Sequence, residues 1–285
     1  MNMYYKTALA GEEIERVLSL ACLCEKEDSI SLIESLNVPM MRNPEIGKGY
    51  YVWCEDGGNL IGFLGAYSMI DNGEVELAGM VLPSARRRGI MSEMLSILQK
   101  EANVKTYKKL LVVDQKSVSG IAFANQLGSN LLFSEYGLSA VLDRFEAIEK
   151  NKVAIKEAAD SDIESISRVL QRSFGDSEEE VSALLARNVH SGEHQLYAIV
   201  YENKIIGTIT ASQEEDSVYL SAFAIDPDEQ GKGYGRASLE RILGKLGAEG
   251  IAKVKMDVET DNQNALSLYL SVGFQQNNVI AYYLV

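Results

Sequence analysis

The sequence predicts an α/β (α+β) chain made of two copies of one fold, each a mixed sheet covered by helices. Three observations predict it. The chain has 285 residues, long for one domain and comfortable for two, and 46% of them are apolar, enough for real cores. The order strand, two helices, three strands, helix, strand, short helix, final strand material occurs twice. Finally, LPSARRRGIM (82–91) and DPDEQGKGYG (226–235) occupy the same place in the two halves, as do AFANQLG and LYLSVG further on, with one residue inserted between.

In the first half, MYYKTAL reads as a strand and EEIERVLSLACL and SLIESLN as helices. YYVWCE, NLIGFLGAYSMI and EVELAGMVL follow as three strands, then GIMSEMLSILQKEA as a helix, KKLLVVD as a strand and GIAFANQLG as a short helix. LFSEYGLSAVLD supplies the last strands. The charged segment RFEAIEKNK (144–152) marks the expected boundary between a domain over 1–145 and one over 152–285. In the second half KVAIKEA is strand-like, and Asp160 and Ser161 are N-cap candidates for a helix over 161–174 with Ile163, Ile166 and Leu170 on one face. A second helix covers 177–189. Residues 195–212 split at Glu202-Asn203 into a hairpin, and 217–226 form a third strand. A helix over 234–248 follows, then a strand over 252–259, a short helix over 264–274 closed by Gly273, and a last strand over 279–285.

Lys plus Arg number 27 against 41 Asp plus Glu, a formal net charge of −14. That balance argues against a nucleic-acid partner, which calls for basic surface. Cys22, Cys24 and Cys54 are odd in number and match no zinc spacing, so no metal site and no disulfide frame is expected. The N-terminus lacks the basic and apolar regions of a signal peptide, and no stretch approaches the ~20 apolar residues of a membrane helix. A cytoplasmic protein without a membrane partner is expected.

The most informative stretch is DPDEQGKGYGRA, where Gly231, Gly233 and Gly235 alternate between a strand and a helix. First-turn N–H groups have no intrahelical partner, and glycine lets backbone approach an anion, so the pattern suits a pyrophosphate cradle. A turn that only needs φ > 0 has the same composition, and both readings stay open on the glycines alone. G-x-x-x-x-G-K-[ST] is absent, and the spacing is not G-x-G-x-x-G, which sets aside a P-loop and a dinucleotide fingerprint.

The spacing that fits is Gln230-x-x-Gly233-x-Gly235 followed by Asn262-x-x-Ala265-x-x-Leu268-Tyr269-x-x-x-Gly273-Phe274. Together these closely resemble the GNAT N-acetyltransferase superfamily over about 153–285, and more faintly over the first half. The resemblance implies two tandem domains, each with a mixed, mostly antiparallel sheet flanked by helices. It implies an acyltransferase that moves acetyl from the cosubstrate acetyl-CoA to a primary amine by direct attack. The loop Gln230, Gly231, Lys232, Gly233, Tyr234, Gly235 and Arg236 would hold the pyrophosphate. Phe223, Ala224 and Ile225 would bind pantetheine and polarise the acetyl carbonyl through their backbone. Asn262 and Ala265 would meet the pantetheine arm, and Tyr269 would be the general acid toward sulfur. The plainer alternatives are an N-cap for Asn262 and a core aromatic for Tyr269. The acceptor would be a small-molecule or peptide amine, and the negative charge tilts this toward a cationic one.

Two positions depart from the family pattern. Where many members hold a glutamate, this chain has Tyr219, so Glu214, Glu215, His190, His194, the Val285 carboxylate and water chains stay open as the base. In the first half Arg86, Arg87, Arg88, Gly89 and Met91 replace the second-half loop, and no placement near Ala124 (Ser117, Gly120, Phe123 and Asn125 included) restores a phenol. That half is expected to be a degenerate copy without transfer. The alternative function is an acetyl-CoA-binding sensor or scaffold.

Overall fold

A computed structural model describes residues 1–68, 73–102, 104, 106–142, 153–190, 194–214 and 216–285, with backbone only at 187–190. The expected boundary segment 144–152 lies outside the described residues. In chain order the elements are β1 (Asn2–Lys6), α1 (Gly11–Asp28), α2 (Val38–Arg42), β2 (Lys48–Asp56), β3 (Asn59–Ser68), β4 (Glu74–Val81), α3 (Ile90–Glu101), β5 (Lys108–Asp114), α4 (Val118–Gln126) and β6 (Asn130–Val141). There follow β7 (Ala154–Glu157), α5 (Ile163–Phe174), α6 (Glu178–His190), β8 (His194–Tyr201), β9 (Lys204–Gln213), β10 (Val218–Ile225), α7 (Tyr234–Ala248), β11 (Lys253–Glu259), α8 (Gln263–Ser271) and β12 (Gln275–Leu284). They form two compact units, one of Met1–Glu135 with Asn278–Val285, the other of Tyr136–Asn277.

In the first unit the strand order is β1-β2-β3-β4-β5-β12. Its neighbours are antiparallel except β4 and β5, which run parallel. The chain's C-terminal strand thus completes the sheet of the first unit, with Ile280–Leu284 against Leu110–Asp114. β4 alternates strictly: Val75 and Leu77 pack with Ile90, Met94 and Leu98 of α3, while Ala78 and Met80 pack with Val17, Leu20 and Cys24 of α1. The expected helix over SLIESLN is a 3₁₀ turn, Ile33–Leu36, followed by α2. Asn37 at φ +43 breaks the run and caps α2 by accepting from the Met40 N–H.

In the second unit the order is β6-β11-β10-β9-β8-β7, with β10 and β11 parallel and β7 through β10 antiparallel. Glu202 and Asn203 join β8 to β9 at φ +46 and +64, the two left-handed residues of a tight hairpin turn. Asp160 and Ser161 lie in a 3₁₀ turn rather than capping α5; the Asp162 carboxylate takes the Ala159 N–H and a 2.9 Å bond from Lys156. Ile166, Val169 and Leu170 of α5 and Val181 and Leu185 of α6 cover one face of the sheet. Leu239, Ile242 and Leu243 of α7 and Leu266 and Tyr269 of α8 cover the other, against Val218, Leu220, Val254 and Met256.

Candidate active site

β10 carries the feature that separates the two units. Its pairing with β9 is regular from Val218↔Gln213 to Ser221↔Thr210, then resumes at Ala224↔Thr208. Two β10 residues, Ala222 and Phe223, therefore stand opposite the single residue Ile209, which is a β-bulge. Ala222 sits at φ +50, a conformation costing a non-glycine residue about 1 kcal/mol or more. The extra residue reverses the alternation. Val218 and Leu220 face the α7–α8 layer before the bulge; Phe223 and Ile225 face it after. β10 also leaves β11 early, pairing only at Val218 and Tyr219. The strand end carrying Phe223, Ala224 and Ile225 is thus splayed and re-aimed, with backbone groups withdrawn from the regular ladder. β4 has no bulge: its pairing with β3 is continuous from Gly62↔Val81 to Tyr67↔Glu76.

The glycine loop joins this strand to α7. Gly231 and Gly233 have φ +73 and +84, and a Cβ added to either would meet nothing within 4 Å, so it is backbone conformation, not space, that favours glycine there. Gly233 is the N-cap of α7. Gly235 differs: a Cβ there would come within 3.2 Å of the Leu268 side chain and 3.9 Å of Phe223, so any larger residue requires Leu268 to shift. Gln230 donates from Nε2 to the Ile225 carbonyl at 2.9 Å and ties the loop back to the strand. Arg172 of α5 grips Asp226 at 2.8 Å and Asp228 at 2.9 Å, fixing the strand end from the opposite layer. Lys232 binds Glu229 at 2.8 Å, and the Tyr234 ring lies 4.6 Å from that of Tyr201. Arg236 is turned to the Ser271 hydroxyl and carbonyl, at 2.7 and 3.2 Å. The α7 N-terminus, two left-handed glycines and a close-packed third form a cradle that fits a pyrophosphate.

Asn262 caps α8 by accepting the Ala265 N–H at 3.1 Å, which leaves its amide donors to other partners. Tyr269 is 7% exposed, its ring 6.3 Å from Phe223 and 6.1 Å from Phe274. Its hydroxyl has no hydrogen-bond partner among the described residues, nor is it one of the sealed-in polar atoms, so it keeps some access to solvent. Burial pushes the phenol up to about 12, which keeps its proton in place throughout the neutral range.

The residues left open as the base are dispersed. Glu214 binds Lys255 at 3.2 Å and accepts from Ser217, while His194 contacts Ser212 at 2.6 Å. Val285 belongs to the first unit. Glu215 and the His190 side chain lie outside the described residues. A carboxylate that sequence reasoning missed is Asp257 of β11, which accepts a 2.7 Å hydrogen bond from the Tyr219 hydroxyl. The signal was there: in KVKMDVE the apolar Val254, Met256 and Val258 take one face, leaving Asp257 on the other with Tyr219.

In the first unit a cleft of about 270 Å³ opens where β4 parts from β5, lined among others by Leu64, Gly79, Met91, Val113 and Phe123. Arg87 keeps the left-handed conformation of Gly231, at φ +64, and Gly89 that of Gly233, at φ +80. Arg86 takes the part of Gln230, its Nε donating to the Val81 carbonyl at 3.0 Å, and pairs through both terminal nitrogens with Asp28. The loop shape survives there, while the bulge and the phenol do not. Among the described residues no cluster of His, Cys, Asp or Glu could hold a metal, and no helix is long and apolar enough to cross a membrane.

A family model described as "Acetyltransferase (GNAT) family" matches residues 15–128 and 163–274, one stretch in each unit. The [ribosomal protein bS18]-alanine N-acetyltransferase of Escherichia coli K12 is 38% identical over 64 residues; that match takes in 22% of this chain and only 43% of the relative. The mycothiol acetyltransferase of Actinosynnema mirum is 23% identical over 96% of both chains. Among solved structures, a tandem GNAT protein from the clavulanic acid biosynthesis pathway covers 100% of this chain and 98% of its own at a TM-score of 0.73 and 15% identity, a likeness of fold. The chain belongs to the acetyltransferase (GNAT) family and is built of two tandem copies of that fold.

Proposed function

We propose that the second unit transfers acetyl from acetyl-CoA to a primary amine by direct attack, and that the first unit does not. The observation that carries this is the β10 bulge at Ala222–Phe223, which β4 lacks. Acetyl-CoA supplies a thioester whose acetyl carbon accepts the amine and whose sulfur leaves. Backbone N–H groups at the splayed end of β10 would stabilise the negative charge that grows on the carbonyl oxygen; one such donor is worth about 10²-fold or more in rate. The loop of Gln230 to Gly235 and the α7 N-terminus hold the pyrophosphate. Asp257, held by Tyr219, takes the proton of the arriving ammonium and passes it to water, so that the free amine attacks. Tyr269 hydrogen-bonds the sulfur through its hydroxyl as the C–S bond breaks and keeps its own proton; the proton the nitrogen sheds as the C–N bond forms passes to the sulfur, so amide and thiol leave uncharged.

The acceptor is a small-molecule or peptide amine. The relatives named above act on an alanine of ribosomal protein bS18 and in mycothiol acetylation, and the carboxylate of Asp257 favours an acceptor that arrives as a cation. The first unit keeps a cleft and a shaped loop without the bulge or the phenol, which suits holding a ligand rather than reacting it. The test follows free thiol from acetyl-CoA with a panel of primary amines. Amine-dependent release that deleting Ala222 cuts about 10²-fold, with cooperative melting preserved, supports the proposal. Release that survives the deletion unchanged contradicts it.

A further inference from the structure

The cations around the second-unit loop are not equally engaged. Arg172 is committed to Asp226 and Asp228, and Arg236 to Ser271. Lys204 and Lys232 instead share one carboxylate: Glu229 receives Lys204 at 3.1 Å and Lys232 at 2.8 Å. The trio carries a net positive charge. Glu229 is largely covered, its side chain 17% exposed, while Lys204 and Lys232 remain 62% and 51% exposed. Glu229 is held below the usual carboxyl range by Lys232 first and Lys204 second. Lys204 comes from outside the loop, at the start of β9 just past the Glu202-Asn203 turn. That hairpin is fastened to the loop a second time by the Tyr201 and Tyr234 rings, 4.6 Å apart. Two independent contacts thus carry a lysine from a distant part of the chain to the edge of the pyrophosphate cradle.

Coenzyme A bears a third phosphate, on the 3′ carbon of its ribose, that a loop and one helix terminus filled by pyrophosphate do not serve. We infer that Lys204 and Lys232, presented together by Glu229, bind this 3′-phosphate and make the second unit select CoA over dephospho-CoA. The inference rests on the proposed reading of the second unit. An ion held by charge-assisted bonds from two exposed lysines accounts for roughly tenfold or more in affinity.

The experiment is calorimetric titration of the full chain with CoA and with dephospho-CoA, no amine present. Gly235→Met, which fills the close-packed position, reports any binding by the first unit so that it can be subtracted. The wild type is expected to bind CoA about tenfold more tightly than dephospho-CoA. Lys204→Met should weaken CoA several-fold and leave dephospho-CoA binding as it was; Lys204→Met with Lys232→Met should erase the preference, with any loss at the pyrophosphate shared equally by both ligands. Equal loss for both ligands in Lys204→Met, or a preference untouched by the double substitution, overturns the inference and leaves the reading of the second unit standing. Binding of neither ligand by the wild type overturns that reading as well.

Discussion

Replacing Tyr269 by phenylalanine removes one oxygen atom from a buried ring. The ring packs against Phe223 and Phe274, contacts that phenylalanine keeps, and the hydroxyl gives up no hydrogen bond among the described residues. Stability should therefore change by less than about 0.5 kcal/mol. The rate is another matter. With the phenol raised to about 12 and a thiol near ~8.5, complete proton transfer to sulfur would run some 3–4 pKa units uphill, roughly 5 kcal/mol. The phenol accordingly acts mainly through a charge-assisted hydrogen bond to the departing sulfur, worth about 1.5–3 kcal/mol. Tyr269→Phe should lower kcat by roughly 10–10²-fold with little change in CoA affinity. Thiol release under saturating acetyl-CoA measures the first quantity and calorimetry the second. A kcat within about threefold of wild type would refute the role given to this residue.

Four further outcomes follow from the same geometry. Ala222→Gly relieves the left-handed strain at φ +50 and should raise stability by about 1 kcal/mol, read as a higher Tm, with turnover retained. Asp257→Asn should lower the rate at pH 7 by about 10–10²-fold, and its rate should climb close to tenfold per pH unit toward the amine's own pKa of ~10, since each unit multiplies the free amine. Arg172→Gln leaves the Asp226 carboxylate, 6% exposed, without its cationic partner and should lower the midpoint of denaturant unfolding. In alkali, Tyr269 is neutral in the fold up to about 12 but ionises near 10 when unfolded, so the unfolded state sheds its proton first. Its contribution, whole below pH 10, should be lost between pH 10 and 12, roughly 2–3 kcal/mol that Tyr269→Phe would retain.

Much of this was legible because some residues admit one explanation. Gly231 and Gly233 sit at positive φ in open space, and the hairpin turn at Glu202-Asn203 needs two left-handed residues, a chemistry the letters announce. Gly235 was legible as necessary but for a different reason, its closeness to Leu268, which only packing shows. The β10 bulge is a difference of one residue between two strands that both alternate plausibly, and it appears only when each is set against its partner. Asp257 needed the register of β10 and β11 to bring it to Tyr219. Arg87 shows the opposite failure: a lost glycine suggests a lost loop shape, yet the backbone holds φ +64 without it. Which sheet a terminal strand joins is likewise absent from its own residues, and β12 pairs with β5, far away in sequence.

The proposed chemistry lies where β10 bulges beside Tyr269. A crystal structure of the full chain with CoA tests it most directly. Pantetheine is expected between β10 and β11 of the second unit, with sulfur within about 3.5 Å of the Tyr269 hydroxyl. CoA found only in the cleft of the first unit, between β4 and β5, would contradict it.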